Sequence, residues 1–189
     1  MFLALFCWFV GLATAGPLDV QLTASEIEVL EGGGVVVRSP TDDGLLVGAV
    51  DVSAPSAALW SAVMNLEARE ANVSAIKSIT TYAPATDVKG LGARFELSIM
   101  GIKVVYHLRY HQDPSQKWVT FGLDSEKEND LVSSTGGYHI TPNGDGQRLI
   151  YWAKTDAGRA IPGFIRNTLS NRSFKSQLGA MRDLAVKGG

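Results

Sequence analysis

The clearest pattern along the chain is alternation. Over Arg94–Ile99 the apolar residues Phe95, Leu97 and Ile99 alternate with Arg94, Glu96 and Ser98, a period of two that predicts a strand with one covered face. After Met100-Gly101 the pattern resumes: Ile102, Val104, Tyr106, Leu108 and Tyr110 share one face, opposite Lys103, Val105, His107, Arg109 and His111. A turn at Asp113-Pro114-Ser115 leads to Val119, Phe121 and Leu123, which continue the apolar face. Leu131–Thr141 and Gln147–Asp156 predict two further strands, joined through Asn143-Gly144-Asp145-Gly146, a strong hairpin signal. Upstream, Val35–Arg38 and Leu45–Val52 are β-rich and flank the turn-forming cluster Ser39-Pro40-Thr41-Asp42-Asp43-Gly44. Ala75–Ala83, with Ile76, Ile79 and Tyr82, predicts one more strand. Such alternation describes an antiparallel sheet with one face covered and the other wet.

Helical spacing interrupts the strands twice. Ser53 is placed as an N-cap with Pro55 in the first turn, and Leu59, Trp60, Val63 and Leu66 follow on one stripe. Glu67–Val73 predicts a second short helix. Near the end, apolar residues recur as Phe164, Ile165, Leu169, Phe174, Leu178, Met181, Leu184 and Ala185, while Arg166, Arg172, Lys175 and Arg182 take other positions. This predicts one amphipathic helix over Phe164–Val186, roughly 35 Å long at 1.5 Å per residue. A helix of that length buries its apolar stripe economically by lying across a curved antiparallel sheet, an α+β arrangement.

The first residues follow another logic. Met1–Gly16 has no charged side chain, Phe2–Leu12 is almost entirely apolar, and Ala13-Thr14-Ala15 supplies small residues before Gly16. The pattern predicts a signal peptide over residues 1–15, removed to leave a lead-in over 16–34 and one domain over 35–187. The apolar run is shorter than the ~20 residues a bilayer-spanning helix needs. The expected location is therefore secreted or periplasmic. Cys7, the only cysteine, falls inside the signal, so the mature chain has no disulfide and no cysteine-based zinc site.

Composition narrows the function classes. Apolar residues make up 46 % of the 189 and charged residues 19 %, enough for one folded core. Lysine and arginine total 17 against 19 aspartates and glutamates, so nothing points to nucleic acid, which needs a concentrated cationic face.

Candidate chemistry is sparse. His107 and His111 are four apart, but on a strand that spacing separates them by ~13 Å, too far to share a metal ion. They oppose Tyr106 and Tyr110, and His139 alternates away from Tyr138, so all three histidines are expected in solvent. Arg94 and Glu96 are expected as an exposed pair near a sheet edge. Gly32-Gly33-Gly34 precedes a strand, not a helix, and so reads as a flexible turn without a phosphate cradle. There is no Gly-x-Ser-x-Gly elbow, no His-Glu-x-x-His and no P-loop. Asn72-Val73-Ser74 and Asn171-Arg172-Ser173 fit a glycosylation sequon, the second in a poor place for a glycan. No metal, cofactor or catalytic residue is assigned.

The succession of strand, short helices, strand meander and long C-terminal helix resembles the helix-grip fold. Local motifs are similar to those of the SRPBCC superfamily, which includes START lipid-transfer domains, polyketide cyclase/dehydrase-like proteins and coenzyme Q-binding proteins. They are Val50-Asp51-Val52-Ser53-Ala54-Pro55 leading to Leu59-Trp60, then Gly137-Tyr138-His139-Ile140-Thr141-Pro142, then Arg148-Leu149-Ile150-Tyr151, and finally Ile161-Pro162-Gly163-Phe164-Ile165. One departure is Tyr138, where many members have Trp.

The resemblance implies about seven strands curved around the terminal helix, with a cavity between them for an apolar ligand. Its expected walls are Phe95, Leu97, Tyr106, Leu108, Tyr110, Phe121, Tyr138, Tyr151, Phe164 and Leu169. The aromatic richness of the inward positions supports this independently, since organic-ligand pockets combine apolar walls with a few polar handles; plain core filling is the alternative. The expected function is binding or transport of a hydrophobic small molecule or lipid, with a polyketide cyclase/dehydrase-like enzyme as the alternative. The tyrosines, which titrate near 10 when unperturbed, are the inward ionisable groups that an enzyme would have. Arg166, Arg172, Lys175 and Arg182 could add transient contact with an anionic membrane surface, or form an ordinary solvated face.

Overall fold

A computed structural model describes residues 18–38, 41, 44–99, 101–158 and 163–189, with 99 and 163–170 described by backbone alone. The expected signal peptide lies outside the described residues.

The alternating segments become the strands β1 (Val35–Arg38), β2 (Leu45–Val52), β3 (Ile76–Ala83), β4 (Leu91–Ile99), β5 (Ile102–Asp113), β6 (Trp118–Leu123), β7 (Ser133–Asn143) and β8 (Gly146–Asp156). They form one sheet in the order β1-β2-β8-β7-β6-β5-β4-β3, every neighbour antiparallel. The strand count is eight where the resemblance implied about seven, because Val35–Arg38 adds a short edge strand to β2. Hairpins set the register. Asn143 pairs with Gly146 across a two-residue turn whose Gly144 has φ +55°, a conformation that favours glycine.

Four helices complete the chain: α1 (Ala24–Glu31), α2 (Ser56–Met64), α3 (Leu66–Asn72) and α4 (Gly163–Gly188). Ser53 does not cap α2. Ala54 N–H bonds the Val52 carbonyl in a tight turn, Pro55 occupies the cap position without a side-chain bond, and the helix starts at Ser56.

The lead-in is more ordered than its sequence suggested. Thr23 and Glu26 close a reciprocal capping box that starts α1, and Arg38 on β1 donates Nε to Glu26 Oε1 at 2.7 Å. Leu30 of α1 packs with Val36, Val47, Ala49, Ile150 and Trp152 in a cluster of its own. The expectation of one wet face therefore fails at β2 and β8, where α1 covers the second face. The unbroken apolar run Leu45–Val50 is the sequence trace of that double burial.

The main core lies on the other face. Phe174, Leu178, Met181 and Ala185 of α4 present one helical face to the sheet and to Leu59, Ala62 and Val63 of α2. The close crossing of α4 over β2 depends on Gly48. A Cβ there would sit 2.6 Å from Leu178 Cδ1 and 3.2 Å from the Val36 carbonyl oxygen. Sheet, α2, α3 and α4 thus surround a common interior, the helix-grip arrangement.

Candidate ligand-binding interior

Side chains from β4 to β8 converge on that interior. Phe95, Leu108, Tyr110, Phe121, Tyr138 and Tyr151 are buried in the main core, and half-buried Leu97 and Tyr106 pack against it. The side chains of Phe164 and Leu169 lie outside the described residues, as do Ile161 and Pro162.

The aromatic rings form two groups. Tyr138 and Tyr151 stack with centroids 4.4 Å apart, and Tyr151 stacks in turn on Phe174 at 3.9 Å, with planes 7° apart. Phe121 stands tilted between Tyr110, Tyr138 and Tyr151. Closer to the β4–β5 turn, Phe95 stacks on its cross-strand partner Tyr106 at 5.2 Å.

Into the first group projects a charge that sequence reasoning missed. Arg69 of α3 is only 4 % exposed. Its Nη2 donates to the Val63 carbonyl at 2.6 Å, near the end of α2, and its guanidinium carbon lies 5.0 Å from the Tyr138 ring centroid. The Tyr110 hydroxyl lies beside the same guanidinium, and Nε has no hydrogen-bond partner. No carboxylate pairs with Arg69 among the described residues; its electrostatic neighbours are the phenols of Tyr138, Tyr110 and Tyr151. A lone buried guanidinium costs on the order of several kcal/mol, of which a desolvated cation–π contact offsets ~2. The tyrosines are therefore not the sole inward ionisable groups. A signal existed: Leu66, Arg69 and Val73 fall on one helical stripe, and both flanking residues are buried.

Burial determines what the tyrosines can do. Loss of water pushes the phenols of Tyr106, Tyr110 and Tyr151 well above the ordinary tyrosine range. They are neutral at physiological pH and can donate hydrogen bonds, but they cannot serve as bases there. Tyr106 also retains accessible surface.

The remaining candidates lie on the outer face or the surface. His111 is exposed, whereas His107 and His139 are half-buried, against expectation. The segment after β6 folds alongside β5 where that strand has no further partner. Asp124 N–H bonds the His107 carbonyl, and Asn129 Oδ1 accepts from His107 N–H at 2.7 Å. His107 Nδ1 then lies 3.0 Å from the Glu128 carbonyl. Within the same segment, buried Asp124 accepts from Tyr82 Oη at 2.6 Å and Arg109 Nε at 2.9 Å. His139 lies in an open cleft beneath the N-terminal segment, beside Leu22, Ile27 and Arg148, and partial burial holds its imidazole below the usual range. Two other shallow clefts flank the β7–β8 turn and α2, and none of the three is lined by the interior aromatics.

Arg94 and Glu96 pair at 3.0 Å, joined by Lys103 at 2.9 Å from Glu96, all partly exposed. On α4, Arg172 and Lys175 are exposed, but Arg182 is engaged by Asp183 and the Gly33 carbonyl, and the Arg166 side chain lies outside the described residues. No described helix is long and apolar enough to cross a membrane.

No family sequence model matches the chain, and no curated protein matches it in sequence. Solved structures match its fold. A START superfamily protein from Mycobacterium smegmatis aligns with TM-score 0.61 and 19 % identity, over 76 % of this chain and 97 % of its own. The Zhui aromatase/cyclase from Streptomyces sp. R1128 aligns with TM-score 0.63 and 13 % identity, over 76 % and 93 %. A STAR-related lipid transfer protein from Xanthomonas axonopodis aligns with TM-score 0.60 and 17 % identity, over 80 % and 92 %. The likeness lies in the course of the backbone, and the chain has the START-like helix-grip fold.

Proposed function

We propose that this START-like helix-grip chain is a carrier or sensor of a hydrophobic small molecule or lipid held between the sheet and α4. The observation that carries the proposal is the aromatic set enclosed by the sheet and α4, in which half-buried Tyr106 stacks on Phe95 at 5.2 Å and Tyr138, Tyr151 and Phe174 stack in series. Aromatic walls bind apolar ligands through area alone, at ~25 cal/mol per Å² removed from water, and so need no catalytic group. The lipid transfer protein sharing the fold supports the same direction. The protein works in a secreted or periplasmic compartment after loss of residues 1–15, and exposed Arg172 and Lys175 give it transient contact with anionic membrane surfaces. The test is native mass spectrometry with organic extraction of protein purified from its own host's secreted or periplasmic fraction. The expected result is a chain beginning at Gly16 with a co-purifying hydrophobic molecule. An apo mass and an empty extract count against the carrier.

A second assignment, a cyclase/dehydrase-type enzyme, draws on the aromatase/cyclase that shares the fold and on Arg69 beside Tyr110. A guanidinium and a neutral phenol could stabilise an enolate oxygen. Loss of turnover on a polyketide substrate in folded Tyr110→Phe or Tyr138→Phe would favour it. Unchanged turnover in both removes these residues as participants.

A further inference from the structure

Among the described residues, Arg69 is a buried charge that an apolar carrier does not explain. Its charge is sealed among Tyr110, Tyr138, Tyr151 and apolar side chains, its Nε is unpartnered, and its Nη2 donates to a backbone carbonyl that needs no charge. Asp124 is the buried acid among the described residues, and it is engaged elsewhere. Buried Asp124 serves Tyr82 and Arg109 beside the outer face of β5. Residues 159–170, whose side chains lie outside the described ones, include no aspartate or glutamate, and Asp42 and Asp43 belong to the β1–β2 connection. Among the described residues, the interior therefore holds a cation with no matching anion.

We propose that Arg69 anchors the acid group of the ligand, an amphiphile ending in a carboxylate, and that its apolar body runs along Tyr106 and Phe95. This rests on the carrier assignment and adds the ligand's chemical class to it. A carboxylate fits because one negative charge balances one guanidinium, and because its two oxygens accept in parallel from a guanidinium edge. The hydroxyls of Tyr110 and Tyr138 complete the set as donors. A phosphate monoester would bring a second negative charge with no cation to meet it. A neutral lipid would leave Arg69 as solitary in the complex as in the free protein.

The experiment titrates the full chain with two matched pairs, anthracene-2-carboxylate against its methyl ester and dodecanoate against 1-dodecanol, and repeats the titrations with Arg69→Met and Arg69→Lys. Charged hydrogen bonds predict that wild type prefers each acid by about 10-fold or more. Arg69→Met should bring acid and neutral partner within about twofold while keeping affinity for the neutral one, and Arg69→Lys should keep part of the preference. Affinity for the acids should also fall as pH drops through the probe's own carboxyl range, in wild type, which needs no variant to fold. Equal binding of acid and neutral partner, or a preference that survives in folded Arg69→Met, overturns the anchor and leaves the carrier standing. Failure of all four probes on wild type overturns both.

Discussion

Tyr151 of β8 and Phe174 of α4 lie face to face, ring centroids 3.9 Å apart and planes 7° apart. The stack joins the middle of the sheet to the long helix, and Tyr138 extends it to a third ring at 4.4 Å. Phe174→Ala removes the helix's share of this contact and opens a void against Tyr151. The expected loss is about 3–5 kcal/mol, read as a lower urea midpoint. A loss below about 1 kcal/mol would mean that α4 is held mainly by its Leu178 and Met181 contacts.

Leu108 and Tyr106 are neighbours on the inward face of β5, but they meet different surroundings. Leu108 is 4 % exposed, so Leu108→Asp places an unpaired carboxyl in the core and should abolish the cooperative unfolding transition. Tyr106→Leu gives up the stack on Phe95, at a cost of about 1 kcal/mol, and should fold. Its expected phenotype is altered affinity for an apolar fluorescent probe. Unaltered probe affinity in folded Tyr106→Leu would remove Tyr106 from the binding surface.

Gly48 lets α4 approach β2, and the obstacle to any larger residue is Leu178 Cδ1 at 2.6 Å. Gly48→Ala should cost about 1–3 kcal/mol by overpacking. Because the clash is with one side chain, it should cost less in a Leu178→Ala background, a coupling that a double-mutant cycle measures. Strict additivity would place the strain in the Val36 backbone instead.

Acid should loosen the N-terminal part first. The side-chain hydrogen bond from Arg38 holds the Glu26 carboxyl down at about 2, from an ordinary 4.5. For Asp124, burial alone would raise the carboxyl, but hydrogen bonds from Tyr82, the Glu126 backbone and Arg109 outweigh it and keep it below its usual range. A depressed carboxylate contributes its full stability above the unfolded value, and that contribution fades as pH falls through the folded one. Urea midpoints should therefore decline between about pH 4.5 and 2. Glu26→Gln should lower the midpoint at neutral pH by the equivalent of about 1 kcal/mol, as loss of a cap does, and flatten the acid decline. An unchanged acid limb in Glu26→Gln would assign it to other carboxylates.

Much of the framework was legible residue by residue. The alternation of Phe95 through Leu123 placed β4, β5 and β6 on one inward face, and Asn143-Gly144-Asp145-Gly146 marked the last hairpin. The spacing of Phe174, Leu178 and Met181 marked α4. Two features carried local signals that the overall pattern obscured. Thr23-Ala24-Ser25-Glu26 has the form of a capping box ahead of α1, and Arg69 shares a stripe with Leu66 and Val73. Pro55 misled, since a proline tolerated in a first turn can equally be the cap before it.

By itself, the sequence determined the strands, α2, α3, α4 and the inward set of the meander, because period and turn chemistry are properties of the linear chain. Only the tertiary structure decided that α1 would seal the back of β2 and β8, that the segment after β6 would cover His107, and that Arg69 would be left among tyrosines without a counter-ion. Those outcomes depend on which surfaces meet across long sequence separations. Whether a charge is solvated or sealed is set by the neighbours that reach it, not by its place in the chain.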